Sequence, residues 1–419
     1  MKLNNSISLF LTLFFFLTAC KNEAQKENTV ILPKEGSWRM QMDLGKKSLP
    51  FNFHLSQNQD QWKMMILNAD EKIEVSQIEF QNDSLIIDLP VFESSFFLKI
   101  IDSIHLEGVW INYYKSDNYK IPVAAKFAEN FRFIPESSNK SILKLHQKYR
   151  VSFVEEDQNT FDAIGIFSQT GNKLNGSFAT ETGDYRYLEG NVTKDSLFLS
   201  TFDGSHAFLF EARAKNDTLY GKFWSGTHYR ASWTAFPDST FELRNPDSLT
   251  FLKEGYDSFH FSLTDLNGDK VSLSDEKFKN KVVIVQIMGS WCPNCLDETK
   301  YLTQLYDQYH EEGLEIVALA FERTKSEEKA LQNLKALKNR TNLNYPLLLG
   351  GSTKADSPEK VLPMLNHIMS YPTAIFIDKK GEVRKIHTGF YGPGTGKYYT
   401  DFTKETEAFV SQLLSVQLQ

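Results

Sequence analysis

The stretch Trp291-Cys292-Pro293-Asn294-Cys295 decides how this chain is interpreted. It follows an apolar run over 281–288 that predicts a buried strand, and it opens a long helical pattern. The first N–H groups of a helix have no intrahelical partner, and the helix dipole favours an anion there, so a thiolate at Cys292 would be stabilised. Cys295, one turn further on, is placed to attack a mixed disulfide formed at Cys292. The spacing therefore predicts dithiol–disulfide exchange.

Two other roles for this cysteine pair are less consistent with the sequence. Half of a zinc site would need two further ligands, but the chain has no second Cys pair and its nine His are scattered. A purely structural disulfide would close so short a loop that it would gain little chain entropy. We therefore expect a redox disulfide between Cys292 and Cys295 and no metal.

The region 256–419 alternates strand and helix patterns, which predicts an α/β domain. Gly313 should end the Cys helix, and Ser357-Pro358-Glu359 has the residues of a helix start. The predicted elements are a hairpin over 259–273, strands over 282–288, 314–321 and 345–349, helices over 292–312 and 326–339, a helix from Ser357, a hairpin over 373–388 and a closing helix over 401–414.

This order of elements resembles the thioredoxin fold, and in detail the TlpA/ResA branch of membrane-tethered thiol–disulfide oxidoreductases. The resemblance covers about two-fifths of the chain, 256–419, and leaves the preceding β-rich region uncovered. Lipoproteins of the Bacteroidota often carry such a fusion. The motifs that carry the resemblance are Phe261-Ser262-Leu263, Asp265, Gly268, Trp291 to Cys295, Glu298 and Tyr371-Pro372-Thr373.

The resemblance implies roles for residues beyond the two cysteines. Glu298 would move protons to or from Cys295, although an exposed helix-face Glu is the simpler alternative. Pro372 would follow a cis peptide in a loop beside the Cys pair, whose backbone pairs with an extended substrate chain. Tyr371 would face that substrate, Trp291 would cover the thiols, and Pro293 would line the same docking site. No dissociable cofactor is implied.

Two positions depart from the pattern of the branch. Asn294 stands where Pro often precedes the second Cys, and residues between the cysteines tune the reduction potential, so the direction of electron flow is open. Lys300 stands where the family commonly has a helix Pro, which predicts a straighter first helix.

The N-terminus has the layout of a bacterial lipoprotein signal. A basic start precedes an apolar run over 7–17 that is too short to span a bilayer, and Leu17-Thr18-Ala19-Cys20 follows it. The resemblance to a lipobox implies a signal peptide over 1–19, lipid on Cys20 and a tether over 20–35. An ordinary cleaved signal peptide is the alternative. We expect anchoring in the cell envelope, facing the periplasm, with the outer membrane preferred over the inner.

Residues 36–135 and 145–237 predict two related antiparallel all-β units, followed by a linker over 238–255. Asp83-Ser84-Leu85 matches Asp195-Ser196-Leu197. Leu106-Glu107-Gly108-Val109-Trp110 matches Leu219-Tyr220-Gly221-Lys222-Phe223-Trp224. Each unit should have roughly eight strands in a barrel or sandwich, or form half of one larger sheet. The recurring Gly before an aromatic residue predicts a turn or bulge.

Composition limits the partners. A net charge of -7 without a basic patch argues against nucleic acid. The leading hypothesis is a lipid-anchored oxidoreductase that reduces protein disulfides and receives electrons from a membrane partner with its own thiol pair. One alternative is a peroxiredoxin-like peroxidase, although Met288-Gly289-Ser290-Trp291 lacks the Thr and Pro that such enzymes place before their Cys. The other is a ligand-binding or assembly lipoprotein in which the β region is the functional part.

Overall fold

The computed structural model describes residues 31–59, 61–89, 92–116, 118–135, 142–324, 326–354 and 357–417. The predicted order, an antiparallel β region followed by an α/β domain, is confirmed. Cys20 and the predicted signal peptide lie outside the described residues. Within the described ranges, no helix combines the length and the apolar character needed to cross a bilayer.

The first β unit is one antiparallel sheet of nine strands in the order β4-β3-β2-β1-β9-β8-β7-β6-β5. Only Ser76 separates β4 from β5, so the sheet curls until its two edge strands meet at that corner. The strands are β1 Gly36–Asp43, β2 Ser48–Asn58, β3 Gln61–Asn68, β4 Glu71–Val75, β5 Gln77–Gln81, β6 Ser84–Leu89, β7 Ser94–Asp102, β8 His105–Asn112 and β9 Lys120–Phe127.

The second β unit closes into a barrel. Its nine-stranded sheet runs β11-β10-β18-β17-β16-β15-β14-β12-β13, and a further pairing of β11 with β12 joins the ends. The strands are β10 Lys148–Glu155, β11 Thr160–Thr170, β12 Lys173–Thr180, β13 Gly183–Asp184, β14 Leu188–Val192, β15 Ser196–Phe202, β16 Ala207–Lys215, β17 Thr218–Ser225 and β18 Tyr229–Pro237. Each unit thus has one strand more than the eight expected.

The two units share their strand order, as an internal duplication predicts. The first three strands have 8, 11 and 8 residues in both units. The expectation of a turn or bulge at the recurring glycines is wrong, because Gly108 and Gly221 lie within paired strands. A Cβ on Gly108 would lie 1.9 Å from the Phe97 carbonyl oxygen, so close approach of neighbouring groups explains the glycine.

Alternation of apolar and polar residues places the cores of both units. In β9, the buried Ile121, Val123 and Ala125 alternate with exposed residues, as a strand with one solvated face requires. The cores are not separate, because Phe202 of the second unit stacks on Phe51 of the first with ring centroids 4.7 Å apart. Burial of these apolar side chains joins the units.

The α/β domain has a seven-stranded sheet in the order β20-β19-β23-β22-β21-β24-β25. Its strands are β19 Ser262–Asp265, β20 Lys270–Ser272, β21 Val282–Met288, β22 Leu314–Glu322, β23 Leu347–Ser352, β24 Thr373–Ile377 and β25 Val383–Thr388. Every residue of β21 and β22 is buried, as expected for parallel strands covered on both faces.

The helices of this domain are α1 Pro293–Tyr309, α2 Glu327–Thr341, α3 Ser357–Val361 and α4 Lys397–Ser415. The predicted end of the Cys helix is correct: a 3₁₀ turn over His310–Glu312 leads to Gly313, which adopts φ 105°. The closing helix begins at Lys397 rather than at residue 401, because Gly396 precedes it with φ 59°. In the predicted linker, Leu252 bridges to Leu365.

Candidate active site

The turn between β21 and α1 holds the thiol pair. Cys292 is the N-cap residue of α1, with extended backbone, and its Sγ accepts a hydrogen bond from the Cys295 N–H at 3.2 Å. Pro293 occupies the first helical position and is buried. Cys292 and Cys295 are free thiols, so this is the dithiol state. The unpaired N–H groups of the first helical turn are directed towards a sulfur at this position.

The loop before β24 lies directly beside Cys292. The Cys292 thiol donates to the Tyr371 carbonyl oxygen at 3.3 Å, and the Tyr371–Pro372 peptide is cis, as the resemblance implied. The Tyr371 backbone therefore lies next to the Cys292 sulfur. Its side chain is partly buried, so Tyr371 forms part of the wall around the thiol.

Trp291 forms the adjoining wall. Its ring lies 5.5 Å from the Tyr371 ring, and its Nε1 donates to the Phe321 carbonyl oxygen at 2.9 Å. The Arg323 guanidinium lies 3.3 Å from the centre of the indole ring, within cation–π distance. This cation was not among the residues expected from sequence, because it follows β22 and reaches the site only through the fold.

Cys295 and Glu298 lie in the first two turns of α1 and are completely or almost completely buried. Burial raises the pKa of the Cys295 thiol well above its ordinary value, and the neighbouring Cys292 adds to this shift. Burial also raises the pKa of Glu298 to about 8. Glu298 is therefore not the exposed helix-face residue of the simpler alternative.

Gln286, in the middle of β21, connects these two groups. Its Nε2 donates to Glu298 Oε2 at 2.9 Å and lies 3.5 Å from the Cys295 carbonyl oxygen. Its Oε1 accepts from the Thr299 hydroxyl at 3.2 Å. Glu298 Oε1 has no hydrogen-bond partner among the described residues, so one carboxyl oxygen is available for proton exchange. Sequence analysis missed Gln286, although a Gln within an otherwise apolar strand was a signal that could have identified it.

Comparison with known proteins places this site in a family. The AhpC/TSA family model matches residues 255–386. The chain is 34% identical over 129 residues to thiol-disulfide oxidoreductase ResA of Bacillus cereus, covering 31% of this chain and 66% of that protein. It is 31% identical over 138 residues to thioredoxin-like protein YneN of Bacillus subtilis, covering 33% of this chain and 73% of YneN. The chain belongs to the thioredoxin-like thiol–disulfide oxidoreductases.

A solved structure of a thioredoxin-family thiol:disulfide interchange protein from Chlorobium tepidum TLS aligns with 39% of this chain and 99% of its own, with 19% identity and a TM-score of 0.29. The chain spans about two thirds of the length of the ResA relatives. The match to the family model, over residues 255–386, follows both β units in the sequence.

A buried carboxylate fixes the active-site turn of this thioredoxin-like domain. Glu322 Oε1 accepts from the Ser290 N–H at 2.8 Å, and Glu322 Oε2 accepts from the Ser290 hydroxyl at 2.6 Å. Burial raises the pKa of Glu322 to about 6, against the effect of both hydrogen bonds. The carboxylate thus holds the residue two positions before Cys292. Sequence reasoning missed it, since Glu322 ends a strand far along the chain.

Helix α1 is continuous through Lys300, where the family commonly has Pro, and Lys300 Nζ lies 3.4 Å from Asp297 Oδ1. Asn294, the other departure, points away from the thiols towards the second β unit: its Nδ2 lies 3.3 Å from the carbonyl oxygens of Asp184 and Phe390. The residue between the cysteines is therefore held by another part of the chain.

Both β units cover the dithiol. Cys292 is only 6% exposed, and Phe92 and Tyr114 of the first unit pack into the same apolar cluster as the cysteines. From the second unit, the Ser205 hydroxyl donates to the Trp291 carbonyl oxygen at 3.4 Å. The β region is therefore part of the surroundings of the active site, which no sequence pattern indicated.

Proposed function

We propose that this protein reduces disulfides of other proteins by dithiol exchange through Cys292 and Cys295. The observation that carries the proposal is the position of Cys292 Sγ, which caps α1 and lies beside the Tyr371 carbonyl. Unpaired N–H groups there stabilise the thiolate that attacks, and the partly buried wall of Trp291 and Tyr371 frames the approach of an extended client segment.

The exchange has two steps. The Cys292 thiolate attacks one client sulfur, so that the client S–S bond breaks, a mixed disulfide forms and the departing client thiolate takes up a proton. Cys295 then loses its proton and attacks Cys292 Sγ, which releases the second client thiolate. Two electrons pass to the client, and the protein is left with the Cys292–Cys295 disulfide.

Glu298, in its ionised form, is the group placed to accept the proton of Cys295 in the second step. Its raised pKa, about 8, lies close to neutral pH, where a proton-transfer group is most effective. Gln286 holds one of its oxygens and leaves the other without a partner among the described residues. Exchange through this oxygen lets a buried thiol ionise without access to bulk water.

Anchoring in the cell envelope is part of the proposal. The Leu17-Thr18-Ala19-Cys20 motif supports lipid on Cys20, and a membrane partner with its own thiol pair would return electrons to the disulfide. Incorporation of radiolabelled palmitate into the wild type and its loss in Cys20→Ser would support the anchor. Equal label in both proteins would contradict it.

The central experiment uses one serine variant of each cysteine. Turnover of a protein disulfide should be lost in Cys292→Ser, whereas Cys295→Ser should accumulate a mixed disulfide with the client, detected by mass spectrometry. If Cys292→Ser retains turnover, the proposal is wrong. Consumption of hydrogen peroxide by the wild type without protein disulfide reduction would favour the peroxidase alternative.

The direction of electron flow needs the reduction potential of the pair in the whole protein. A value near or below about -270 mV, as in thioredoxin, supports a reductase. A value near about -120 mV, as in a strongly oxidising envelope protein, would make this protein an oxidant.

A further inference from the structure

Residues 181–187, between β12 and β14 of the second β unit, lie against the start of the Cys helix. The Thr182 carbonyl oxygen accepts from the Ser370 hydroxyl at 2.6 Å, two residues before Pro372. Asp184 accepts from Asn294 Nδ2 through its carbonyl oxygen at 3.3 Å and its Oδ2 at 3.5 Å. One short segment of the β region thus contacts both the turn between the cysteines and the loop before β24.

Asp184 is fixed from several sides. Its Oδ2 accepts from the Gly392 N–H at 2.6 Å, and its Oδ1 accepts from the Arg186 N–H. Gly183 has φ 141°, and a Cβ there would lie 2.8 Å from Asn294 Nδ2, so the backbone approaches the helix as closely as a glycine allows. These contacts leave the Asn294 amide little freedom to turn towards the thiols.

One cation and one anion lie close to Asp184. The charged and titratable groups that face it are Arg186 and Tyr187 on its own segment, Asp297 on α1 and Tyr391 beyond β25. Burial raises the pKa of Asp184 to about 6, with the Asp297 charge adding to the shift, so the carboxyl is mainly ionised above that pH. An anion beside the second helical residue opposes an anion at the N-cap.

We propose that Asp184 is a positioning residue of the dithiol–disulfide reaction: acting through Asn294, it sets the equilibrium between the Cys292–Cys295 dithiol and its disulfide. This inference rests on the proposed function and assigns part of the active site to the second β unit. The carboxylate orients the amide between the cysteines, and its charge disfavours the Cys292 thiolate. The disulfide form of the pair is thereby favoured, which makes the dithiol a stronger reductant.

The test compares Asp184→Asn with the wild type as whole proteins equilibrated with glutathione. Asn keeps the size of the side chain and an acceptor oxygen for Gly392 but removes the charge. The equilibrium should move towards the dithiol by about three- to tenfold, where tenfold corresponds to about 30 mV. The pH profile of Cys292 alkylation by iodoacetamide should move to lower pH. A residue that acts only in packing would change neither quantity.

Glu181→Ala is the matched control, because this carboxylate lies on the same segment but pairs with the exposed Arg244. It should leave the equilibrium with glutathione within about twofold of the wild type. Asn294→Ala, alone and combined with Asp184→Asn, completes a double-mutant cycle. If Asp184 acts through Asn294, the change in the dithiol–disulfide equilibrium of the double variant should differ from the product of the two single changes.

The outcomes separate this inference from the proposed function. Three outcomes would overturn the inference alone. The equilibrium of Asp184→Asn could lie within twofold of the wild type, Glu181→Ala could shift it by the same amount, or the two effects in the double-mutant cycle could be fully multiplicative. A wild-type protein that forms no reversible disulfide with glutathione would overturn the proposed function itself. Circular dichroism of each variant confirms that the compared proteins are folded.

Discussion

At the scale of single residues, Glu298 gives a pH-dependent prediction. Its folded-state pKa of about 8 lies above the ordinary value of 4.5, so the folded state holds the proton more tightly. The stability that comes from the neutral carboxyl is fully present below about pH 4.5 and is lost as the pH rises towards 8. Glu298→Gln, which cannot ionise, should therefore gain stability relative to the wild type over this range, by up to a few kcal/mol.

Urea unfolding at pH 5 and pH 8 measures this difference. The exposed Glu311 provides the control, since Glu311→Gln replaces a carboxylate that already lies in water. If Glu298→Gln and wild type differ in stability by the same amount at both pH values, burial does not raise the pKa of this carboxyl.

The residues of the active site differ in how far sequence could identify them. Cys292 and Cys295 stand at a spacing whose chemistry is local, so the strand and helix on either side were enough to predict their placement. Gln286 was missed, and the one signal for it was a polar residue in an apolar strand. Glu322, Arg323 and Asp184 reach the site through the tertiary fold, from strands or loops with no local pattern that refers to the cysteines.

At the scale of elements, alternation and helix-capping residues were sufficient to place the strands and helices of the α/β domain and to predict two β units, but they did not explain the glycines within strands. Gly221 pairs with Ala212 and Trp233 on either side. A Cβ on Gly221 would lie 2.1 Å from the Trp233 ring. Because Trp233 is buried in the barrel core, it cannot move aside cheaply.

Gly221→Ala should accordingly destabilise the protein by about 1–3 kcal/mol through overpacking. Tyr220→Ala serves as the comparison on the same strand, because the Tyr220 side chain is 53% exposed, and it should change stability by no more than about 0.5 kcal/mol. Thermal unfolding measures the change in stability of both variants. A Gly221→Ala protein as stable as the wild type would mean that Trp233 and its neighbours repack.

At the scale of the whole molecule, one buried cation joins all three parts of the chain. Arg186 of the second β unit pairs with Glu71 of the first unit and with Asp297 of α1, and its Nε lies 3.3 Å from Asp203 of its own unit. Arg186 is 4% exposed, so water contributes little to solvating the four groups. Composition and periodicity carry no information about such a contact, since Arg186 is 115 residues from Glu71 and 111 residues from Asp297 in sequence.

The final prediction follows from the removal of this cation. Arg186→Met would leave three carboxylates close together and largely buried, which should cost about 3–5 kcal/mol, and would loosen the contact between the β units and the thioredoxin-like domain. Arg244→Ala, which removes an exposed partner of Glu181, should leave the stability nearly unchanged, because water screens this pair. Limited proteolysis should therefore cleave Arg186→Met between the units under conditions in which Arg244→Ala and the wild type stay intact. Equal resistance of all three proteins would mean that the apolar contacts between the units, such as Phe51 on Phe202, are sufficient to hold them together without the ion pairs.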